Sequence, residues 1–250
     1  MRVFLTLMRR ELAAYFLSLT GYVIIAAAAL LTAICLLVMI WQSLLQPMPV
    51  PLIELFFGTW LFWIVLIPIV PLITMRVFAL EKFSGTYETL MTAPVRDGQV
   101  VFAKFSAAIF FYAVMWLPML GCLLTLHHFS VNPPPLDVRM LASTYLGILL
   151  VGGLFVSFGC FASSLTQSQA VAAIVAFGFN LGLVMLSSFM EILTSRFGRA
   201  ANLVDCLAIT DQMQDFSRGV VDTRAIVSFL SLTLLFLLLT FRVVESRRWK

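Results

Sequence analysis

Six long apolar runs without an ionised side chain constrain this chain more than any other feature: Thr20–Trp41, Leu55–Met75, Phe105–Leu126, Met140–Ala162, Ala170–Met190 and Ala225–Phe241. A bilayer core of about 30 Å takes about 20 apolar residues per helix, and each run reaches or approaches that length. A soluble fold of 250 residues that is 62% hydrophobic and 11% charged has too little interior to hide this surface. Lipid must be the solvent for much of it. The expected fold class is therefore an all-α integral membrane protein, one six-span domain over residues 1–250. The composition excludes an ordinary cytosolic enzyme, a disordered chain and a basic nucleic-acid binder. The net charge of +4 is read as a report of orientation, and no nucleic-acid partner is expected.

Six spans leave both termini on one side. The flanks on that side carry Arg2, Arg9, Arg10, Arg76, Lys82, Arg96, Lys104, Arg242, Arg247, Arg248 and Lys250, and the opposite flanks only Arg139, Arg196, Arg199, Arg218 and Arg224. The positive-inside bias places both termini and the Arg76–Lys104 loop in the cytoplasm. Ahead of the first span, residues 1–17 are amphipathic. Arg2, Thr6, Arg9, Arg10 and Ala13 share one helical face, and Phe4, Met8, Leu12 and Tyr15 share the other. This pattern predicts a helix lying along the interface; the alternative is a simple extension of the first span. The segment is no cleavable signal, because the apolar run is too long and lacks a small-residue exit.

Chemistry-bearing patterns are scarce. There is no phosphate-binding G-x-x-x-x-G-K-[ST] loop, no G-x-S-x-G and no H-E-x-x-H. The spans hold no paired carboxylates or proton relay of the kind an ion-coupled pump needs. Cys35, Cys122, Cys160 and Cys206 form no C-x-x-C pair, and three of them lie in apolar runs as small buried hydrophobes. His127 and His128 are the only metal candidates. Neighbours on a helix point about 100° apart, so interfacial polar anchors are the expected reading and no metal is assigned. Pro68, Pro71 and Pro118 are hinge candidates within spans, or ordinary membrane-helix prolines. Gly178 and Gly182, with Asn180 between them, and Gly152, Gly153 and Gly159 offer close-packing faces.

The loop over residues 79–98 is the most informative stretch. Gly85 is placed to break the chain before a short helix over Thr86–Thr92, in which Tyr87, Leu90 and Met91 share a face and Glu88 lies opposite. Pro94 ends it. Charged arms flank the helix, with Arg76, Glu81 and Lys82 before it and Arg96 and Asp97 after it. A mere connector has no need of an exposed aromatic and aliphatic stripe, so a docking surface for a cytoplasmic partner is expected.

The run EKFSGTYETLMTAPV at Glu81–Val95 resembles the E-[KR]-x-x-G-T-x-E-x-L-x-x-x-P signature of ABC type-2 exporter permeases. RELAAYFLSLTGYV at Arg10–Val23 is similar to that family's interfacial elbow. DFSRGVVDTRAIVSFLSLTLLFLLLT at Asp215–Thr240 looks most like its gliding-motility-associated branch. The resemblance implies a permease subunit of an ATP-driven exporter in the bacterial inner membrane, working by alternating access. It also implies a second permease copy or paralogue, two ABC ATPase subunits that bind the ATP and Mg, surrounding membrane lipids and an accessory membrane or periplasmic subunit. This chain would hold no cofactor and no ATPase site of its own. Glu81, Gly85, Thr86, Glu88, Leu90 and Pro94 match the coupling motif, with Lys82 and Tyr87 inside it, and Phe83 and Tyr87 make the loop more aromatic than usual. Residues 191–224 correspond to external short helices that dip back toward the membrane. Two other readings stand beside this one. The first is a scaffold or regulatory subunit that docks a cytoplasmic partner without transport. The second is a lipid-handling membrane enzyme with His127 or His128 as base.

Overall fold

A computed structural model describes residues 2–45, 52–86, 97–129, 138–197 and 208–247. Over these residues the chain is all-α, with eleven helices and no strand among them. They are α1 (Arg2–Phe16), α2 (Leu19–Leu45), α3 (Leu52–Gly58), α4 (Trp60–Thr74), α5 (Ala79–Ser84), α6 (Asp97–Met115), α7 (Leu117–Phe129), α8 (Val138–Leu165), α9 (Gln169–Phe197), α10 (Ile209–Ser217) and α11 (Thr223–Arg247). Six stretches are long and apolar enough to cross a bilayer: Leu19–Gln42, Trp60–Ser84, Asp97–Thr125, Val138–Leu165, Gln169–Phe189 and Thr223–Ser246.

Every span departs from its apolar run by some residues, and three departures matter for the architecture. The second run begins at Leu55, but a separate α3 ends at Gly58 and the spanning helix starts at Trp60. Thr59 is extended (φ −106°, ψ 164°) and turns its hydroxyl back onto the Leu55 and Phe56 carbonyls. Gly and Thr are poor helix formers, and a run of apolar side chains conceals that break. The third span begins at Asp97 rather than Phe105 and steps at Trp116 between α6 and α7. Pro118 has no N–H for the Val114 carbonyl, so the ladder cannot run through unbroken. The fifth helix continues to Phe197, which shortens the external segment expected from residue 191.

The core is built around α8, which packs against α4, α6, α9, α10 and α11. Two of its glycines make this possible. A Cβ on Gly152 would lie 2.1 Å from Tyr112 Cε1, and one on Gly159 would lie 2.2 Å from Thr74 Oγ1. With little hydrophobic force between helices in lipid, such close approach is what holds them together. By contrast no described residue lies within 4 Å of a Cβ on Gly178 or Gly182, so among the described residues the expected close-packing face of the fifth span has no neighbour within one copy. Pro68 and Pro71 both sit inside a continuous α4.

On the side opposite the termini, α10 lies across α3 and α8. Ile209, Met213 and Phe216 are buried, and a Cβ on Gly147 would fall 2.8 Å from Phe216 Cβ. Gly147 lies about 13 Å along α8 from its first residue at 1.5 Å per residue, so α10 reaches well down the bundle. Glu54 of α3 pairs with Arg218 just after α10, and that hydrogen bond raises the guanidinium pKa further. The Ser187 and Thr210 hydroxyls, 2.7 Å apart, tie α9 to the same helix.

Candidate functional site: a buried charge hub at the root of the loop

The segment that carries the chain from α4 toward residues 87–96 is held by partners from three directions. Ser163, fully buried on α8, accepts from the backbone N–H groups of Phe78 (3.1 Å) and Ala79 (3.0 Å) and donates to the Met75 carbonyl (3.2 Å). One hydroxyl thus satisfies two of the free donors at the start of α5 and a carbonyl at the end of α4, groups that a helix break exposes. Next to it, Lys82 Nζ donates to the Ser164 carbonyl.

The third hold is electrostatic. Lys104 on α6, 3% exposed, sits between Glu81 of α5 and Glu11 of α1, both 15% exposed. Its ammonium lies 2.9 Å from Glu81 Oε1 and 3.0 Å from Glu11 Oε1, and donates at 2.8 Å to the Val77 carbonyl. Three donors meet three acceptors, which is the condition for a buried lysine to stay charged without a large cost. Arg10 adds a more exposed contact, its Nη2 lying 2.9 Å from Glu81 Oε1 and 3.1 Å from Glu11 Oε1. Helix α1 is further locked by Tyr15, whose hydroxyl donates to the Ile73 carbonyl at 3.0 Å and whose ring stacks on Phe111 at 4.9 Å. Burial, with smaller contributions from Cys160 and Glu11, pushes the Tyr15 phenol well above its ordinary range, so it remains a donor. The amphipathic helix is thus packed into the bundle.

The motif residues are distributed unevenly around this hub. Glu81 and Lys82, expected as charged arms of the coupling loop, both turn inward, and Arg76 donates to the Thr20 hydroxyl. Gly85 stands at φ 74° as the left-handed end of α5, a position only glycine takes without strain. The Thr86 hydroxyl lies 2.8 Å from that of Ser84. Tyr87, Glu88, Leu90, Met91 and Pro94 lie outside the described residues. What this end does present is Phe83, 78% exposed, beside a shallow depression formed with Gln167, Ser168 and Gln169 of the α8–α9 turn. Among the hinge candidates, Pro118 lies in the first turn of α7, at the step, and Pro68 and Pro71 line the helix that leads into the hub. His127 and His128 fall in the last turn of α7, far along the chain from the hub, with His128 exposed. Among the described residues no three His, Cys, Asp or Glu side chains come together as metal ligands.

Sequence reasoning missed Glu11, Lys104, Ser163 and Ser164 as members of the site. Lys104 carried a readable signal: it is a lone charge within VVFAKFSAAIFF, and a charge flanked by apolar residues on both sides needs a buried partner. The serines gave none, since hydroxyls are common in membrane helices and their role depends on which backbone they meet.

Among the described residues this arrangement fixes one loop root to α1, α6 and α8 inside a six-span helical membrane protein. Residues 46–245 match the family model described as ABC-2 family transporter protein. This chain belongs to that family and is a membrane-embedded transport permease. No curated protein matches the chain.

Proposed function

We propose that this protein is the permease subunit of an ATP-driven exporter in a bacterial inner membrane, its termini and the 79–98 loop facing the cytoplasm. Two ABC ATPase subunits, which bind the ATP and Mg, dock beneath a pair of such permeases, this chain with a second copy or a paralogue. Family membership supports the ATPase partner, and the basic excess at the end with the termini supports the orientation. The tail at Asp215–Thr240 favours the gliding-motility-associated branch. An accessory membrane or periplasmic subunit completes the assembly.

The observation that carries the reading is the Lys104 hub. A loop meant only to connect two spans has no use for a buried lysine shared by two carboxylates from two other helices. A loop that receives force does, because displacement of its root is then passed at once to α1 and α6, and through Ser163 to α8. ATP-driven closure of the partner dimer moves the loop, and the step at Trp116 and the prolines of α4 absorb the bending as the bundle alternates its access. Exposed Phe83 and the α8–α9 turn form the near edge of the docking face. Glu88, Tyr87, Leu90 and Pro94 form the remainder of it.

Co-purification tests this reading. An ATPase retained by the wild-type permease should be lost on Glu88→Arg and weakened on Phe83→Asp, while Lys104→Met retains it but no longer stimulates its turnover. A scaffold that only docks its partner predicts unchanged turnover in Lys104→Met, and that result would overturn the transport reading.

A further inference from the structure

Between α1, the start of α2, the end of α4 and α5 lies a cavity of about 650 Å³, within the size range of small-molecule sites. Its walls are of two kinds. Ile24, Leu72 and Leu80 are apolar, and Leu72 and Leu80 are themselves partly exposed on the outer surface of the bundle. Arg76, Glu81 and Thr20 are polar. Two polar atoms of these cavity-lining side chains are buried and lack a hydrogen-bond partner, Arg76 Nε and Glu81 Oε2. Glu81 Oε1 already takes both Lys104 and Arg10, and Arg76 Nη1 is spent on Thr20. A buried N–H of a cation and a buried carboxylate oxygen without partners are each costly, and here both belong to side chains that line one cavity.

We propose that this cavity is a phospholipid site selective for a phosphoethanolamine headgroup. The phosphodiester accepts from Arg76, and the primary ammonium donates to Glu81 Oε2. The acyl chains leave past Leu72 and Leu80 along α2 and α4. The depth agrees with the expectation of an interfacial α1, because this amphipathic helix and Arg76, just past the end of α4, stand on the same cavity. The selectivity follows from donor chemistry: ethanolamine offers N–H groups to a carboxylate, whereas choline's methylated nitrogen has none. A bound lipid would also wedge α1 against the root of the loop, so lipid composition would set how stiffly the joint holds. The site stands on the cavity and its unpaired atoms, whether or not an ATPase docks below.

Native mass spectrometry of the full-length chain, released from nanodiscs of phosphatidylethanolamine with phosphatidylglycerol or of phosphatidylcholine with phosphatidylglycerol, tests the site. Phosphatidylethanolamine should remain bound and phosphatidylcholine should not. Arg76→Gln should lower the retained lipid about tenfold, the loss of one charge-assisted contact. Ala14→Trp, which fills the cavity without touching its charges, should lower it to a similar degree and controls for any misfolding of the arginine variant. Equal retention of the two lipids, or retention unaffected by both variants, would overturn the proposal. So would full displacement by soluble O-phosphoethanolamine at lipid-equivalent concentration, which would assign the cavity to a free headgroup compound instead.

Discussion

Lys104 Nζ lies 2.9 Å from Glu81 Oε1 and joins the first turn of α5 to the middle of α6 across a loop whose two ends would otherwise be independent. The pair is nearly dry, and Glu11 and the Val77 carbonyl complete the lysine's hydrogen bonding. Lys104→Met leaves the two carboxylates with only the more exposed Arg10 as a cation and removes their buried partner. It should destabilise the folded chain by about 3–5 kcal/mol, the range for breaking one side of a buried pair. Lys104→Met combined with Glu11→Gln and Glu81→Gln should recover most of that loss. Thermal unfolding in detergent with a multiple-mutant cycle checks this, and additive losses would contradict the hub.

Ser163 makes a separate prediction. Ser163→Ala removes an acceptor shared by two backbone N–H groups and a donor to the Met75 carbonyl. The expected cost is about 1–3 kcal/mol for buried groups left unpaired. Its signature is local: hydrogen exchange at the Phe78 and Ala79 amides should accelerate while amides in the middle of α8 keep their protection.

The α8 glycines should be sharply unequal to those of α9. Gly159→Ala places a Cβ against Thr74 and should cost about 1–3 kcal/mol by overpacking. Gly178→Ala meets open space in the single chain and should leave its monomeric stability unchanged. Melting curves of the two variants at low protein concentration distinguish them, and equal effects would contradict the packing described.

Tyr15 makes a prediction about pH. Its phenol is raised in the folded chain, chiefly by burial, whereas in the unfolded chain it ionises near 10.0. The folded form therefore holds its proton where the unfolded form releases it. The stabilisation from the neutral hydroxyl is present in full below about pH 10 and is lost as pH rises from there through the elevated folded value. Tyr15→Phe should lower stability at neutral pH by about 1 kcal/mol through loss of the bond to Ile73, and should flatten the decline above pH 10. An unchanged alkaline slope in the variant would show that the decline comes from other groups.

The sequence shows its global features far better than its joints. Six uncharged runs are enough for a six-span all-α membrane fold, because backbone satisfaction in lipid leaves helices as the natural solution for such runs. The break at Thr59 was hidden, since a run of apolar residues reads alike whether or not its helix is continuous, whereas Pro118 signalled the step at Trp116. Glu81 was legible as a residue of interest, but its neighbours on both sides suggested a charged arm of the loop. That it turns toward Lys104 depends on α1 and α6 meeting at that level, which no local pattern encodes. The distant members of the hub, Glu11 and Lys104, are separated by two whole spans in sequence and become one site only through packing.

The central claim is that nucleotide-driven motion enters through the loop root and passes through Lys104 into the bundle. Double electron–electron resonance on the reconstituted permease–ATPase complex measures this motion, with spin labels at Ser84 on α5 and at Leu124 on α7. ATP with vanadate should shift this distance in the wild-type chain. In Lys104→Met the shift should be abolished while the ATPase remains bound. A wild-type distance indifferent to nucleotide, or an equal shift in the variant, would contradict the claim.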